Sequence, residues 1–314
     1  MLKVYYLTAE QLATVGYHKI DPMRFNNVQE VASAEEADLV VIPLPLRDII
    51  DGNGTGVFLD NEGLARIIKA FNLDERRVTA YDCSDWYEDY ELHPNCLFIR
   101  CNTKKWYLQK MPRTISWPWP VENWAEVVPL PPGGFKYDVS GHMWMSSHVR
   151  QSACDSVKAT FGDRADIVTR KEFWGYLEYQ KPEEAMAMKA AMKRSMQESR
   201  IALCPSSIHG VFPYRFFEAL SSGRVPALFC TDHVFPWENK IDYSSCCALF
   251  REEDAPNAGR LIKEWLSKHS DEEIIEMGKR GRAYWEQWLD RSKFEDLKTV
   301  AVEEALGRDG LLRS

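Results

Sequence analysis

The sequence predicts an α/β chain built from two Rossmann-like domains with a helical tail. Three observations lead there. Short apolar runs alternate with amphipathic helical stretches along most of the chain. Two Pro/Gly clusters, Trp117-Pro118-Trp119-Pro120 and Pro129-Leu130-Pro131-Pro132-Gly133-Gly134, interrupt that alternation, which then starts again. The chain has 314 residues, and at ~150 residues per domain it accommodates two. The expected division is residues 1–130, residues 131–286, and a tail over 287–314 that packs back on the first domain.

In chain order, Leu2–Leu7 reads as a first strand and Ala37–Pro43 as a second, buried one. Residues Glu62–Phe71 place Leu64, Ile67, Ile68 and Phe71 on one face of a helix. Val78–Tyr81, Cys96–Arg100 and Thr114–Ser116 complete a mostly parallel sheet. After the Pro-rich clusters, Lys136–Ser140 is a strand, His148–Phe161 a helix and Ala165–Thr169 a strand. Pro182–Ser199 is a long helix opening on Pro182-Glu183-Glu184, a favourable start. Its Met188, Met192 and Met196 form a stripe read as core packing. Ile201–Cys204, Val225–Cys230 and Ala248–Phe250 are strands, and Pro213–Ser222 is a helix with Pro213 at its first position. Asp271–Leu306 reads as helical almost throughout, with Gly278 and Gly281 as weak points.

Composition excludes several classes. Hydrophobic residues at 45% and charged residues at 27% are globular values. Thirty-nine Lys and Arg against 47 Asp and Glu leave a net charge of −8, which argues against nucleic-acid binding and against adhesion to anionic lipid. No run approaches the length of a membrane span or a signal sequence. Eight cysteines without a CxxC pair read as buried free thiols in a reducing compartment. The sequence has no HExxH, Walker or GxSxG motif. Gly52-Asn53-Gly54-Thr55-Gly56 imitates a phosphate loop but lacks the strand-to-helix setting, so it reads as a loop.

The most informative segment is Ser199-Arg200-Ile201-Ala202-Leu203-Cys204-Pro205-Ser206-Ser207, followed by Pro213-Tyr214-Arg215-Phe216-Phe217-Glu218-Ala219-Leu220 and Gly223-Arg224-Val225-Pro226. It spells strand, loop, helix, turn, strand. The start of that helix offers unpaired backbone N–H groups and the positive end of its dipole to an anion. Arg215 in the first turn can fork onto phosphate oxygens. Glu218, three residues on, shares its face and can accept hydrogen bonds from the hydroxyls of a ribose. The spacing alone fits a nucleoside diphosphate at the strand C-termini, and equally an Arg–Glu pair on a solvated face.

This segment resembles the donor-binding core of the exostosin family of glycosyltransferases, in its Leu-Cys-Pro strand end, its Tyr-Arg-x-x-Glu-Ala-Leu helix and its following Gly-x-x-Pro. Val234-Phe235-Pro236-Trp237-Glu238-Asn239-Lys240-Ile241-Asp242-Tyr243 is also similar to the family's Leu-Pro-Phe-Glu-x-x-Ile-Asp-Trp stretch. The resemblance covers residues 199–250. It departs where Ser206-Ser207 replaces a basic residue and glycine, and where Ile201 replaces an aromatic. It implies a GT-B fold, with two Rossmann-like domains facing across a cleft, an acceptor-binding first domain and a donor-binding second one. It implies an inverting transfer of sugar from a nucleoside diphosphate, UDP foremost, to a hydroxyl of a glycan or glycolipid.

On this reading Arg215, Glu218, Tyr214, Ser206 and Ser207 hold the donor. Arg150, early in the helix after the strand and the loop at Ser146-Ser147, joins them on the diphosphate, and Arg170 borders the base. The first domain supplies the general base from the acidic stretch that ends strand Val78–Tyr81: Asp85 first, Asp82 second. Trp86, Trp117, Trp119 and Trp124 are candidates for a sugar platform, with core packing the stronger expectation. No Asp-x-Asp motif is present, so no metal or other cofactor is expected and the arginines carry the leaving-group charge. The expected partners are donor and acceptor, without nucleic acid or a transmembrane segment. The expected location is cytoplasmic, in a bacterial or virus-infected cell. The competing readings are a nucleotide-sugar epimerase of the same fold and a non-catalytic nucleotide-sugar-binding domain.

Overall fold

The computed structural model describes residues 1–15, 23–45, 61–82, 93–123, 134–172, 174–207 and 210–312. The chain forms two compact units. The first comprises Met1–Trp119, Asp232–Trp237 and Ser292–Ser314; the second comprises Pro120–Thr231 and Glu238–Arg291.

The first unit holds β1 (Lys3–Tyr6), β2 (Gln29–Glu30), β3 (Leu39–Pro45), β4 (Val78–Asp82), β5 (Leu97–Arg100) and β6 (Thr114–Ser116). They form one sheet in the order β2-β1-β3-β4-β5-β6, with parallel ladders throughout. Helices α1 (Ala9–Ala13), α2 (Asn61–Ala70) and α3 (Lys105–Lys110) accompany it. Leu12, Leu64, Ile67 and Tyr107 from these helices bury against Val40, Ile42, Val78 and Phe98 of the sheet. Helix α10 (Phe294–Arg308) belongs here too. The Phe294 ring lies 5.4 Å from Trp117, the Thr299 hydroxyl donates to the Asn26 carbonyl, and Arg113 pairs with Asp309 at 2.8 Å.

Residues 232–237 cross into the first unit as a short strap. Asp232 and Trp237, at its two ends, take the left-handed conformation with φ of 60° and 55°, which residues other than glycine seldom adopt. The strap is hydrogen-bonded along its length: Lys105 N–H to the Asp232 carbonyl, Val234 N–H to the Thr103 carbonyl, and the Ser116 hydroxyl to the Val234 carbonyl. His233 is buried 3.2 Å from the Asn102 amide oxygen.

The second unit holds β7 (Tyr137–Trp144), β8 (Ala165–Arg170), β9 (Ser199–Pro205), β10 (Val225–Phe229) and β11 (Ala248–Phe250). The order β11-β10-β9-β7-β8 is again parallel. Its helices are α4 (His148–Phe161), α5 (Trp174–Gln180), α6 (Pro182–Gln197), α7 (Tyr214–Ser221), α8 (Ala258–Leu266) and α9 (Asp271–Tyr284). Val139 and Met143 of β7, Ile201 and Leu203 of β9, and Val225, Ala227 and Phe229 of β10 pack with Cys154, Val157, Ala258 and Ile262 from α4 and α8. Met192 and Met196 are buried, so the methionine stripe of α6 is core. Trp117 and Trp119 are buried as well, and serve packing rather than a sugar platform.

Gly278 and Gly281 do not weaken the C-terminal helical region. Helix α9 runs through both, because each lets the helix approach a neighbour closely: a Cβ at 278 would lie 2.2 Å from the Gly223 carbonyl oxygen, and one at 281 would lie 2.9 Å from Leu220. The break falls later, after a π-helical turn at Trp285–Leu289, where Asp290 becomes extended. Among the described residues the cysteines form no disulfide, and all but the half-buried Cys230 are buried. Among the described residues no helix is long and apolar enough to cross a membrane.

Candidate functional site

In the second sheet the strand order reverses at β7: β8 lies to one side, β9 to the other. The loops leaving β7 and β9 therefore diverge at this point, where α/β sheets bind ligands at the strand C-termini. Here the two loops are joined. The Ser147 hydroxyl donates to the Ser206 carbonyl at 3.1 Å, and the Ser146 and Ser207 hydroxyls share a hydrogen bond of 3.0 Å. Ser147 also caps α4, accepting from the Arg150 N–H. Arg150 turns its guanidinium back over this junction, where Nη1 donates to the Trp144 carbonyl and the Ser146 hydroxyl, each at 3.1 Å. Arg150 is thus a half-buried part of the loop junction, not a surface side chain. Ser206 is fully buried, and its hydroxyl has no hydrogen-bond partner among the described residues.

Beyond Ser207 the chain turns through Gly210, at φ 70°, and Phe212 packs edge-on against Phe216 with centroids 5.0 Å apart. That contact holds α7 in place. Pro213 is the N-cap of α7, not its first residue. Its ψ of 130° is extended, and helical geometry begins at Tyr214. A proline cap has no side-chain acceptor for the first turn.

Arg215 Nε lies 3.1 Å from Glu218 Oε2, with side-chain exposures of 14% and 17%. The pair is therefore not on a solvated face. Burial raises the Glu218 carboxyl above its ordinary range, and the charges of Arg215, Lys189 and Arg170 pull it only part of the way back. Arg170, the last residue of β8, is pushed down to about 10 by burial and by the neighbouring charge of Arg215. Tyr214 is exposed at the start of the helix.

Arg170 and Arg215 thus stand near each other with Glu218 as the carboxylate between the two elements, and Arg150 holds the adjoining loop junction. On the face of β7 and β8 that carries Arg170, nearer the strand starts, lies a pair that the sequence reading did not single out. His142 Nε2 lies 3.2 Å from Asp166 Oδ2 across β7 and β8. The alternation along β7 carried the signal: Val139 and Met143 are apolar and buried, while Ser140 and His142 fall on the opposite face.

The candidate bases belong to the first unit. Asp82 ends β4; its side chain and all of Asp85, Trp86 and Trp124 lie outside the described residues. Among the described residues no group of three metal-ligating side chains is gathered.

No protein-family profile and no curated protein sequence matches the chain. Solved structures do. Anabaena HepE in complex with UDP aligns at a TM-score of 0.50, with 10% identity over 98% of this chain and 100% of the other. The apo form of the lipopolysaccharide outer core galactosyltransferase WaaB aligns at a TM-score of 0.50, with 11% identity over 98% of this chain and 100% of the other. At such identities the likeness concerns the fold. The chain is an α/β protein of the GT-B class, with two parallel sheets and a helical C-terminal segment.

Proposed function

We propose that the protein is an inverting, metal-independent glycosyltransferase of exostosin-like type that uses a UDP-sugar. The observation that carries this reading is that Arg170 stands near the buried Arg215–Glu218 pair, with Arg150 at the adjoining loop junction, by the reversal point of the second sheet. Three guanidinium groups match a diphosphate in charge and in hydrogen-bond geometry. Glu218 receives the ribose hydroxyls, the uncapped start of α7 and the unpartnered Ser206 hydroxyl meet phosphate oxygens, and Tyr214 flanks them. The binding of UDP by HepE and the galactosyl transfer named for WaaB belong to those proteins, and agree with this assignment.

In the reaction, Asp85, or Asp82 in its place, accepts the proton of an acceptor hydroxyl. The freed oxygen attacks the anomeric carbon from the face opposite the diphosphate. The anomeric C–O bond to phosphate breaks, and its electron pair leaves with UDP. The transition state resembles an oxocarbenium ion. Negative charge grows on the diphosphate as it departs, and the fixed guanidinium groups stabilise it without reorganising. The acceptor is a hydroxyl of a glycan or glycolipid.

A thermal-shift screen against nucleoside diphosphates and their sugar conjugates tests the reading. A ligand bound only by the native state raises the melting temperature. UDP and UDP-sugars are expected to do so, and AMP and free sugars are not. A screen in which no nucleoside diphosphate moves the melting temperature contradicts it.

A further inference from the structure

We infer that the His142–Asp166 pair is part of the anion site, and that His142 takes up a proton when the diphosphate of a nucleotide sugar binds. The inference rests on the donor-site reading above.

His142 sits opposite Val168 of β8, so strand alternation puts it on one face with Asp166 and Arg170; its ring lies 3.2 Å from the Asp166 carboxylate and is largely buried. The charged groups around it are Asp166 and Arg170 from β8 and Arg215 from α7. Beyond them stand Glu218, bound to Arg215, together with Lys189 of α6 and Arg150 of α4. On the β9 side the titratable neighbour is the buried Cys204 thiol. Within the protein two opposing influences act on the imidazole. Asp166 favours the protonated ring, whereas burial and the positive charges of Arg215 and Arg170 disfavour it, and the balance lies below the ordinary histidine value.

A bound diphosphate changes one side of that balance. Its negative charge offsets the arginine field, while Asp166 remains in place. The proton then becomes easier to hold, and the ring binds it together with the ligand. A protonated His142 adds a fourth positive charge beside the diphosphate. A neutral ring held only for packing would not change its charge on binding.

Titration calorimetry with UDP-glucose reads this directly. Both phosphates of that probe are esterified, so the ligand itself exchanges no proton near neutrality. Binding near pH 6 is compared in buffers of different protonation enthalpy. The expected result is net proton uptake of a sizeable fraction of one proton per ligand. Affinity should also fall on the order of tenfold as the pH rises from about 5.5 to about 7.5. His142→Gln is expected to bind UDP-glucose with no uptake and a flat pH profile. Asp166→Asn keeps the imidazole but loses its carboxylate, and should take up less at the same pH; this variant decides the matter should His142→Gln fail to fold. UDP-glucose binding by the wild type without proton uptake, or unchanged uptake in either variant, overturns the inference and leaves the donor site standing. Absence of UDP-glucose binding at every pH removes the donor-site reading and this inference with it.

Discussion

Arg215 Nε and Glu218 Oε2 face each other at 3.1 Å across one turn of α7, and both side chains are largely withdrawn from water. An exposed pair of this spacing would contribute little. Buried, each charge has lost its hydration, and the mutual attraction does not fully replace it. The raised Glu218 carboxyl shows that the desolvation side prevails. The protein holds a carboxylate where folding alone would not favour one, which is characteristic of functional sites.

That shift has a sign in stability. Glu218 titrates at a higher pH folded than unfolded, so its stabilising share is present below the unfolded value and is lost as pH rises through the folded one. The difference in unfolding free energy between wild type and Glu218→Gln, from urea melts, should therefore shift against the wild type as pH climbs from about 4.5. A difference that moves in favour of the wild type over that range would contradict the assignment.

Ser206 is fully buried, with a hydroxyl that has no partner among the described residues. Such a group costs folding stability. Ser206→Ala is predicted to leave the melting temperature unchanged or raised, while UDP affinity drops by about 1 kcal/mol, roughly fivefold. A lower melting temperature with unchanged affinity would assign the hydroxyl to the fold.

Gly278 and Gly307 provide a contrast in packing. A Cβ at 278 meets the Gly223 carbonyl oxygen at 2.2 Å, whereas one at 307 has only Leu312 Cδ1 at 3.6 Å. Gly278→Ala is expected to destabilise by about 1–3 kcal/mol. Gly307→Ala, within α10, should be neutral or stabilising by up to about 1 kcal/mol. Urea midpoints for the two variants check both values.

Asp85→Asn is predicted to retain UDP binding and to lose sugar transfer by about 10²–10⁴-fold, the usual contribution of a general base. Asp82→Asn should have the lesser effect. Initial rates of UDP release in the presence of acceptor measure it, and near-normal turnover by Asp85→Asn would remove that residue from the role.

Where local pattern decides structure, the sequence was legible. Helix α4 spans His148–Phe161 and strands β6 and β11 span Thr114–Ser116 and Ala248–Phe250, as their apolar patterns and turn signals indicate. The Arg215–Glu218 pair was legible as a helical i,i+3 spacing, but its burial was not, because burial depends on what packs above the helix. Other features depend on distant partners. Strand β2 is two residues long and is identified only by its ladder with β1. Gly278 reads locally as a helix weakness, and only the nearby Gly223 carbonyl shows why it is tolerated. The membership of 232–237 in the first unit follows from hydrogen bonds to Thr103, Lys105 and Ser116, which no local pattern encodes. Helix α8 shows the reverse. Leu261, Ile262, Trp265 and Leu266 recur at helical spacing, so local pattern encodes that element.

The most direct measurement is a paired titration of UDP and inorganic pyrophosphate against wild type, Glu218→Gln and Arg215→Ala. Glu218→Gln should weaken UDP by roughly 10–100-fold, in keeping with about 1.5–3 kcal/mol for hydrogen bonds to a charged group, and spare or improve pyrophosphate. Arg215→Ala should weaken both ligands. Equal losses of both ligands in Glu218→Gln, or UDP affinity unaltered in Arg215→Ala, would contradict the placing of a nucleoside diphosphate on α7.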